Sequence, residues 1–148
     1  MASTSNTTGE RHLRILLADD REDELRELGA ALEALGHEVT PFAVSVQEAI
    51  ELIAREDPDL AFVVFDGDDQ HGLALLSETV EYASGPVLAT LREVEHAATI
   101  AHAADMGIAG YVNSWEPEDL QAGIELALRR HREEQRLADK VARLESAL

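Results

Sequence analysis

The run Leu60–Phe65, LAFVVF, and the polar run that follows it, DGDDQH over Asp66–His71, decide the fold of this chain. An apolar run without a polar face is typical of a strand in the middle of a parallel sheet, because helices cover such a strand on both sides. The Gly and Asp content of the second run predicts a turn at the carboxyl end of the strand. Strands and helices should therefore alternate along the chain.

The same alternation continues in both directions from this strand. Apolar runs predict four more strands, at Leu13–Ala18, His37–Ala43, Pro86–Leu91 and Ile108–Asn113. Apolar residues at helical spacing predict helices over about 21–35, 45–55, 72–83, 93–106 and 117–148. The chain is therefore predicted to form five βα units around a mostly parallel sheet with helices on both faces.

Local signals set three of the boundaries. Gly36 should end the first helix, since glycine readily adopts the conformation that closes a helix. Ser45 and Glu48 have the spacing of a capping box and should begin the second helix. Pro41 removes a hydrogen-bond donor from the second strand, so that strand should lie at an edge of the sheet.

Composition predicts one acidic domain. The chain has 148 residues, of which 45% are hydrophobic, and this provides enough apolar surface for a core. It has no cysteine, which excludes disulfide scaffolds and thiol catalysis. No apolar run approaches the length that spans a bilayer. Residues 1–11 are polar and are expected to form a disordered tail, and we expect a cytoplasmic protein.

The distribution of charge argues against nucleic-acid binding by this segment. The formal net charge is -18, and residues 1–116 hold 23 acidic and 6 basic side chains. Nucleic-acid phosphates are bound mainly by Lys and Arg, so this part of the chain should repel them. The one lysine is Lys140, which lies outside this part of the chain.

The last predicted helix is too long for one small domain to cover. From Pro117 to Leu148 it would measure roughly 48 Å at 1.5 Å per residue. Its first apolar residues suit packing on the sheet, and they are Leu120, Ile124, Ala127 and Leu128. A second set steps by 4, 3 and 4 residues, which is typical of a coiled-coil seam, and it consists of Leu137, Val141, Leu144 and Leu148.

We therefore divide the chain into a domain over 12–128 and a helical extension over 129–148 that forms a homodimer. The segment RRHREEQR over Arg129–Arg136 has no apolar residue and should be solvated. Pairs such as Arg129 with Glu133 and Arg130 with Glu134 should stiffen it. The alternative is a frayed tail.

Two adjacent carboxylates, Asp19 and Asp20, follow the first strand. Ligands of open parallel sheets bind at the carboxyl ends of the strands. Mg²⁺ is commonly held by one or two carboxylates together with water, so the pair is a candidate cation site. Asp20 is also placed to cap the next helix, and the two roles are compatible.

The order of these elements, with RILLADD at Arg14–Asp20, Pro58 before the central strand, Gly72 after it and GIAGYV at Gly107–Val112, resembles the receiver domain of bacterial response regulators. The resemblance covers residues 11 to about 130. It implies a flavodoxin-like, doubly wound sheet of order 2-1-3-4-5. It also implies an acidic pair that holds Mg²⁺, matched by Asp19 and Asp20. A phosphate-accepting aspartate should end strand three, a hydroxyl strand four and a lysine strand five.

The last three positions depart from that pattern. Alignment without gaps puts Val64 at the acceptor position, and valine has no nucleophile. Leu91 takes the hydroxyl position, and Thr90, one residue earlier, should point the other way. Ser114 takes the lysine position, and Trp115 follows it, more as a packing residue than as a ligand platform. Since phosphoryl transfer needs cationic stabilisation, we do not expect the usual phosphorylation. The sequence has no HExxH motif, Gly-rich phosphate loop or nucleophile elbow, and we expect no enzymatic activity.

Two other interpretations remain open. In the first, the loop after strand three folds back, and Asp66 or Asp68 joins Asp19 and Asp20 around Mg²⁺ as a displaced acceptor. In the second, the chain is a passive dimerisation module. In the interpretation without phosphorylation, we expect the face of the fourth and fifth elements to respond to a partner protein or a small ligand, or to nothing.

A narrower resemblance rests on HGLALL at His71–Leu76, ASGPVLATL at Ala83–Leu91 and the long last helix. These features resemble the pseudoreceiver half of ANTAR-type transcription antitermination regulators. In that family RNA is bound by a further C-terminal module, which would begin about where this chain ends. We therefore expect a truncated regulator or a stand-alone pseudoreceiver, with no cofactor required, that signals by association independent of phosphorylation.

Overall fold

The computed structural model describes residues 12–19, 22–65, 70–91, 101 and 103–148. The strands are β1 (Arg14–Ala18), β2 (Glu38–Val39), β3 (Leu60–Phe65), β4 (Val87–Leu91) and β5 (Gly110–Val112). The helices are α1 (Glu22–Ala34), α2 (Val46–Glu56), α3 (Gln70–Tyr82) and the C-terminal helix (Pro117–Ala147). The predicted N-terminal tail and most of the helix predicted over 93–106 lie outside the described residues.

The five strands form one parallel sheet in the order β2-β1-β3-β4-β5. This order confirms the doubly wound, flavodoxin-like class expected from the sequence. β3 lies between β1 and β4, with Leu60 opposite Ile15 and Ala61 opposite Val87. Its central position explains why it carries apolar residues on both faces.

The two faces of the sheet build two cores. Alternate side chains of a strand point to opposite faces, so neighbours in sequence join different cores. Ala61 and Val63 pack on the side of α2 and α3. Phe62 and Val64 pack on the side of α1 and the C-terminal helix. Burial on both sides fixes β3 as the centre of the domain.

The second strand is shorter than predicted. The sequence indicated a strand over 37–43, whereas β2 covers only Glu38–Val39, and a separate bridge joins Ala43 to Ala18. Pro41 has no amide to continue the ladder, so regular pairing stops before it. The Ala43 amide then donates to the Leu17 carbonyl at 3.0 Å. The predicted edge position is confirmed, because β2 is the outermost strand next to β1.

Two helix boundaries follow the local signals. Gly36 has a φ of 97°, a backbone conformation that favours glycine, and it comes just after α1. The Ser45 hydroxyl accepts a hydrogen bond from the Glu48 amide at 3.2 Å. The Glu48 carboxylate accepts one from the Val44 amide at 2.8 Å, one residue before the position of an ideal capping box.

A buried histidine ties the first strand to the C-terminal helix. Nδ1 of His37 accepts a hydrogen bond from the Leu13 amide at 3.2 Å. Nε2 therefore carries the hydrogen and donates to Oε1 of Gln121 at 3.3 Å.

Among the described residues, no helix combines the length and the apolar character needed to cross a membrane.

Candidate functional site

The carboxyl ends of β1, β3, β4 and β5 form one rim of the sheet, where the sequence placed the candidate site. Asp19 comes directly after β1 and is 3% exposed, and its amide donates to the Ala43 carbonyl at 3.0 Å. Its carboxylate is of the kind that Mg²⁺ prefers. Asp20, Asp66 and Asp68 lie outside the described residues. In the part of the chain that is described, no three His, Cys, Asp or Glu side chains are grouped to hold a metal.

Val64 lies on the rim at the position that the resemblance gives to the phosphate acceptor. It stands opposite Thr90 in the ladder between β3 and β4, and both side chains are buried. Val64 belongs to the core beneath α1 and the C-terminal helix, together with Leu88 and Val112. The side chain here is therefore part of the apolar core and offers no oxygen atom to a phosphoryl group or a cation.

The neighbouring hydroxyl is engaged by the only tryptophan of the chain. Nε1 of Trp115 donates a hydrogen bond to Oγ1 of Thr90 at 2.8 Å. Thr90 also stands opposite Val112 of β5, which brings it close to the segment that carries Trp115. Leu91 ends β4, and its side chain lies outside the described part of the structure. The hydrogen bond between Trp115 and Thr90 therefore joins the segment after β5 to the end of β4.

Ser114, at the position that the resemblance gives to a lysine, forms a local turn. Its hydroxyl accepts a hydrogen bond from the Glu116 amide at 3.2 Å, just before the C-terminal helix begins. Lys140 lies on the exposed part of that helix. The lysine position at the rim thus holds an uncharged hydroxyl that is used in the backbone turn.

The sequence did not pair Thr90 with Trp115. It placed Trp115 beside the rim as a packing residue and Thr90 on the face opposite to Leu91. The contact follows from the register between β4 and β5, which could not be read from the sequence. This register sets Thr90 opposite Val112, and Trp115 lies three residues after Val112. The sequence signal for this contact was the indole N–H of Trp115, because such a group usually finds a hydrogen-bond acceptor when it is buried.

The C-terminal helix is covered only in its first half. Leu120, Ile124 and Ala127 are buried against the sheet. Arg130 donates to the Ala109 carbonyl at 3.2 Å instead of pairing with Glu134 as predicted, because a strand-edge carbonyl lies within its reach. Every residue from Arg132 onward is exposed.

The exposed half carries its own ion pair and an apolar stripe. Arg136 pairs with Glu133, which lowers the pKa of the glutamate and raises that of the arginine through a hydrogen bond and charge attraction. The stripe is the predicted seam, and its side chains are all exposed in the single chain; they are Leu137, Val141, Leu144 and Leu148.

Comparison with curated proteins finds a relative in two strains of one bacterium. No family model matches the chain. The chain is 30% identical over 136 residues to the transcriptional regulatory protein PdtaR of Mycobacterium tuberculosis, strains CDC 1551 and H37Rv. The match covers 91% of this chain and 66% of the length of the relative. The chain therefore spans slightly less than two thirds of that protein.

Solved structures give the same fold. A two-component response regulator from Clostridium difficile superposes with a TM-score of 0.65 at 26% identity, over 79% of this chain and 96% of that one. The signal receiver domain of a modulated diguanylate cyclase from Desulfovibrio desulfuricans G20 gives a TM-score of 0.71 at 20% identity, over 84% and 99%. The second likeness concerns the fold alone.

Proposed function

Because this chain is a response regulator receiver domain, we propose that it acts as a pseudoreceiver, which signals without phosphorylation and through association with a second copy. Val64 carries the proposal, because its side chain is aliphatic and buried and it occupies the position that the resemblance gives to the phosphate acceptor. A receiver without an acceptor has no covalent phosphorylated state, so its output must come from what it binds. We assign it no enzymatic activity.

The surroundings of Val64 support this proposal. Phosphoryl transfer develops negative charge on three oxygens, and that charge must be met by cations or hydrogen-bond donors. Oγ1 of Thr90 accepts a hydrogen bond from Trp115, which ties this side chain to the loop after β5, and Ser114 stands in place of the expected ammonium group as a neutral turn-forming side chain. Asp19 keeps the chemistry of a cation ligand, and with Asp20 and Asp66 it forms our candidate Mg²⁺ set, which the proposed signalling does not require.

The name of the relative supports a role in transcription regulation for the longer protein. PdtaR is a transcriptional regulatory protein, and we propose that this domain serves a regulator of the same kind, of the antitermination type. Bacterial transcription takes place in the cytoplasm, so a cytoplasmic location follows from this proposal. The acidic part of the chain, residues 1–116, should itself bind no RNA, because it lacks the basic surface that RNA phosphates require.

Intact-mass spectrometry tests the absence of phosphorylation. The chain is incubated with acetyl phosphate and Mg²⁺, and a parallel sample contains a metal chelator. We expect the unmodified mass in both samples. A phosphoryl adduct that disappears in Asp66→Asn or Asp68→Asn would contradict the proposal and establish a displaced acceptor in the loop after β3. An active receiver from the same preparation series serves as the positive control for the phosphodonor.

Light scattering tests association through the seam. We expect the parent chain to be a dimer and Leu137→Lys or Leu144→Lys to be a folded monomer, because a charge buried in an apolar interface is unfavourable. Val141→Leu keeps the seam apolar and should remain a dimer. Ala142→Lys adds the same charge outside the seam and is the matched control. A dimer that survives both seam charges would exclude the seam.

A further inference from the structure

We propose that a cleft at the amino ends of β3 and β4 binds a small zwitterion, namely a free amino acid with an apolar side chain. The cleft has a volume of about 280 Å³. It lies at the end of the sheet opposite to the rim that carries Val64 and Thr90, because the strands are parallel and all begin at this end. The cleft is therefore separate from the candidate Mg²⁺ set, and the inference goes beyond the proposed pseudoreceiver role.

Two loops and one face of the C-terminal helix line the cleft among the described residues. Residues 57–59 come just before β3, and residues 84–86 come just before β4. The helix contributes Leu128, His131 and Arg132. These three are separated by three and four positions, so they lie on the same face of the helix. The cleft is thus formed between the loops of the domain and the helix that leaves it.

The loop side of the cleft carries two carboxylates, and each is held by a hydrogen bond. The Ser84 hydroxyl donates to Oδ1 of Asp57 at 3.1 Å. The Arg14 amide donates to Oδ2 of Asp59 at 2.9 Å. The other oxygen of each carboxylate forms no hydrogen bond with any described residue. Since a carboxylate accepts several hydrogen bonds, both groups can also accept from the N–H donors of an ammonium group.

The two loops that carry these carboxylates are in close backbone contact. A Cβ on Gly85 would lie 2.3 Å from the Asp59 carbonyl oxygen, so the backbones could not approach as closely with any other residue there. The Ala61 amide donates to the Pro86 carbonyl at 3.1 Å, and the Asp59 amide donates to the Arg14 carbonyl at 2.8 Å. A wall that is fixed in this way loses little conformational entropy when a ligand binds.

The helix side of the cleft carries two side chains that can bind a carboxylate. His131 is half-buried and Arg132 is exposed. Within the part of the chain that the structure describes, neither side chain forms a hydrogen bond or an ion pair. A guanidinium group donates two parallel hydrogen bonds to a carboxylate, and an imidazole N–H can donate one more. Leu128 packs against the core and holds this turn of the helix in place.

Opposite charges in one cleft select the class of ligand. A simple anion would meet the two carboxylates, and a simple cation would meet Arg132. A zwitterion satisfies both sides at once, with its ammonium group at the loops and its carboxylate at the helix. The apolar part of the lining consists of Pro58, Pro86 and Leu128, which suits an apolar side chain. The cleft volume is just below the range of about 300–1,000 Å³ for ligand pockets, so the ligand must be small.

NMR titration of the ¹⁵N-labelled full chain tests the proposal. The probes are L-valine and L-leucine. The matched controls are L-leucinamide, which lacks the carboxylate, and 4-methylpentanoate, which lacks the ammonium group. We expect saturable amide shifts at Asp57, Asp59, Ser84 and Gly85 with both amino acids. Binding of each control should be about tenfold weaker, because each control loses one charged contact.

Three outcomes of the titration would overturn the proposal. The first is the absence of saturable shifts with either amino acid. The second is a control that binds as tightly as L-leucine, because the cleft would then recognise a single charge. The third is a set of saturable shifts confined to the rim around Val64 and Thr90, because the amino acid would then bind elsewhere. Phosphorylation of the chain would contradict the pseudoreceiver role and leave the ligand site unaffected.

Substitutions test the two sides of the cleft separately. Arg132→Gln and Asp59→Asn each remove one charge and keep a hydrogen-bonding side chain, and we expect each to weaken L-leucine binding about tenfold. Asp57→Asn is a second variant of the loop side, since asparagine also adopts the left-handed backbone of this residue, which has a φ of 47°. Arg129→Gln removes the same charge from the same helix outside the cleft and is the matched control.

The spectra of these variants also report on the fold. Amide signals away from the cleft should keep their positions in every variant, because the substituted side chains are exposed. Arg129→Gln should bind L-leucine with the parent affinity. Parent affinity in Arg132→Gln, or in both loop variants, would overturn the proposed site. An equal loss of affinity in Arg129→Gln and Arg132→Gln would overturn it as well, because the effect would then come from overall charge.

Discussion

At the scale of single residues, the contact between Thr90 and Trp115 links the end of β4 to the loop that follows β5. A hydroxyl and an indole that could face a ligand instead bond to each other at 2.8 Å. Val64 stands opposite Thr90 in the sheet, within the apolar core. Among the described residues between β3 and the C-terminal helix, the rim is therefore stabilised by apolar packing and by a hydrogen bond from the loop after β5 to β4.

Thr90→Val should measure that hydrogen bond. The change keeps the shape of the side chain and leaves the indole N–H without this acceptor. We expect the free energy of unfolding to fall by about 1 kcal/mol in urea titration, since the indole is only half-buried. The fluorescence of Trp115 should change as well. Trp115→Phe removes the donor, and the double variant should lose less than the sum of the two single changes.

At the scale of secondary-structure elements, the C-terminal helix combines two surfaces. Its first half packs on the sheet, and close contact there depends on a glycine: a Cβ on Gly123 would lie 2.5 Å from Cγ1 of Val112. Its second half carries the seam into solvent. The helix is thus the element that would transmit a change in the domain to the dimer.

Gly123→Ala should loosen the helix from β5. Alanine gains up to about 1 kcal/mol in helix propensity, whereas overpacking costs about 1–3 kcal/mol, so we expect a net loss of stability. In a Val112→Ala background the clash disappears, and the same substitution should stabilise the protein. Urea denaturation of the four variants checks this reversal of sign. A destabilisation of equal size in both backgrounds would exclude the clash as the cause.

The sequence predicted the elements better than it predicted their contacts. β3 was placed at the centre because its residues are apolar on both faces, and β2 at the edge because of Pro41. The extent of β2 was wrong, since the same proline also interrupts pairing there. The bond from Trp115 to Thr90 depends on register between β4 and β5, which no local pattern encodes. The metal-binding roles of Asp19, Asp20 and Asp66 stay predictions.

At the scale of the whole molecule, net charge and association are coupled. Each chain has a formal net charge of -18, most of it before residue 117. The proposed dimer brings two such acidic domains together, and they repel each other. Salt screens this repulsion, with a Debye length of about 10 Å at 0.1 M and about 3 Å at 1 M.

The dimer should therefore tighten as salt is added. We expect the dissociation constant of the proposed dimer to fall several-fold between about 0.05 and 0.5 M NaCl, because salt relieves the repulsion between the two acidic domains. Sedimentation equilibrium at several salt concentrations measures it. Weaker association at high salt would show that attraction between opposite charges at the interface exceeds the repulsion between the two acidic domains.

The buried Val64 also has a consequence for timing. A switch that forms a covalent bond is reset when that bond is hydrolysed, so its memory has a chemical clock that runs at the same rate at every protein concentration. Under the proposed mechanism this domain has no such clock. Its signalling state would last as long as two chains remain associated. The concentration of the protein in the cell sets how often two chains meet, and this concentration would therefore be the signal to which the domain responds.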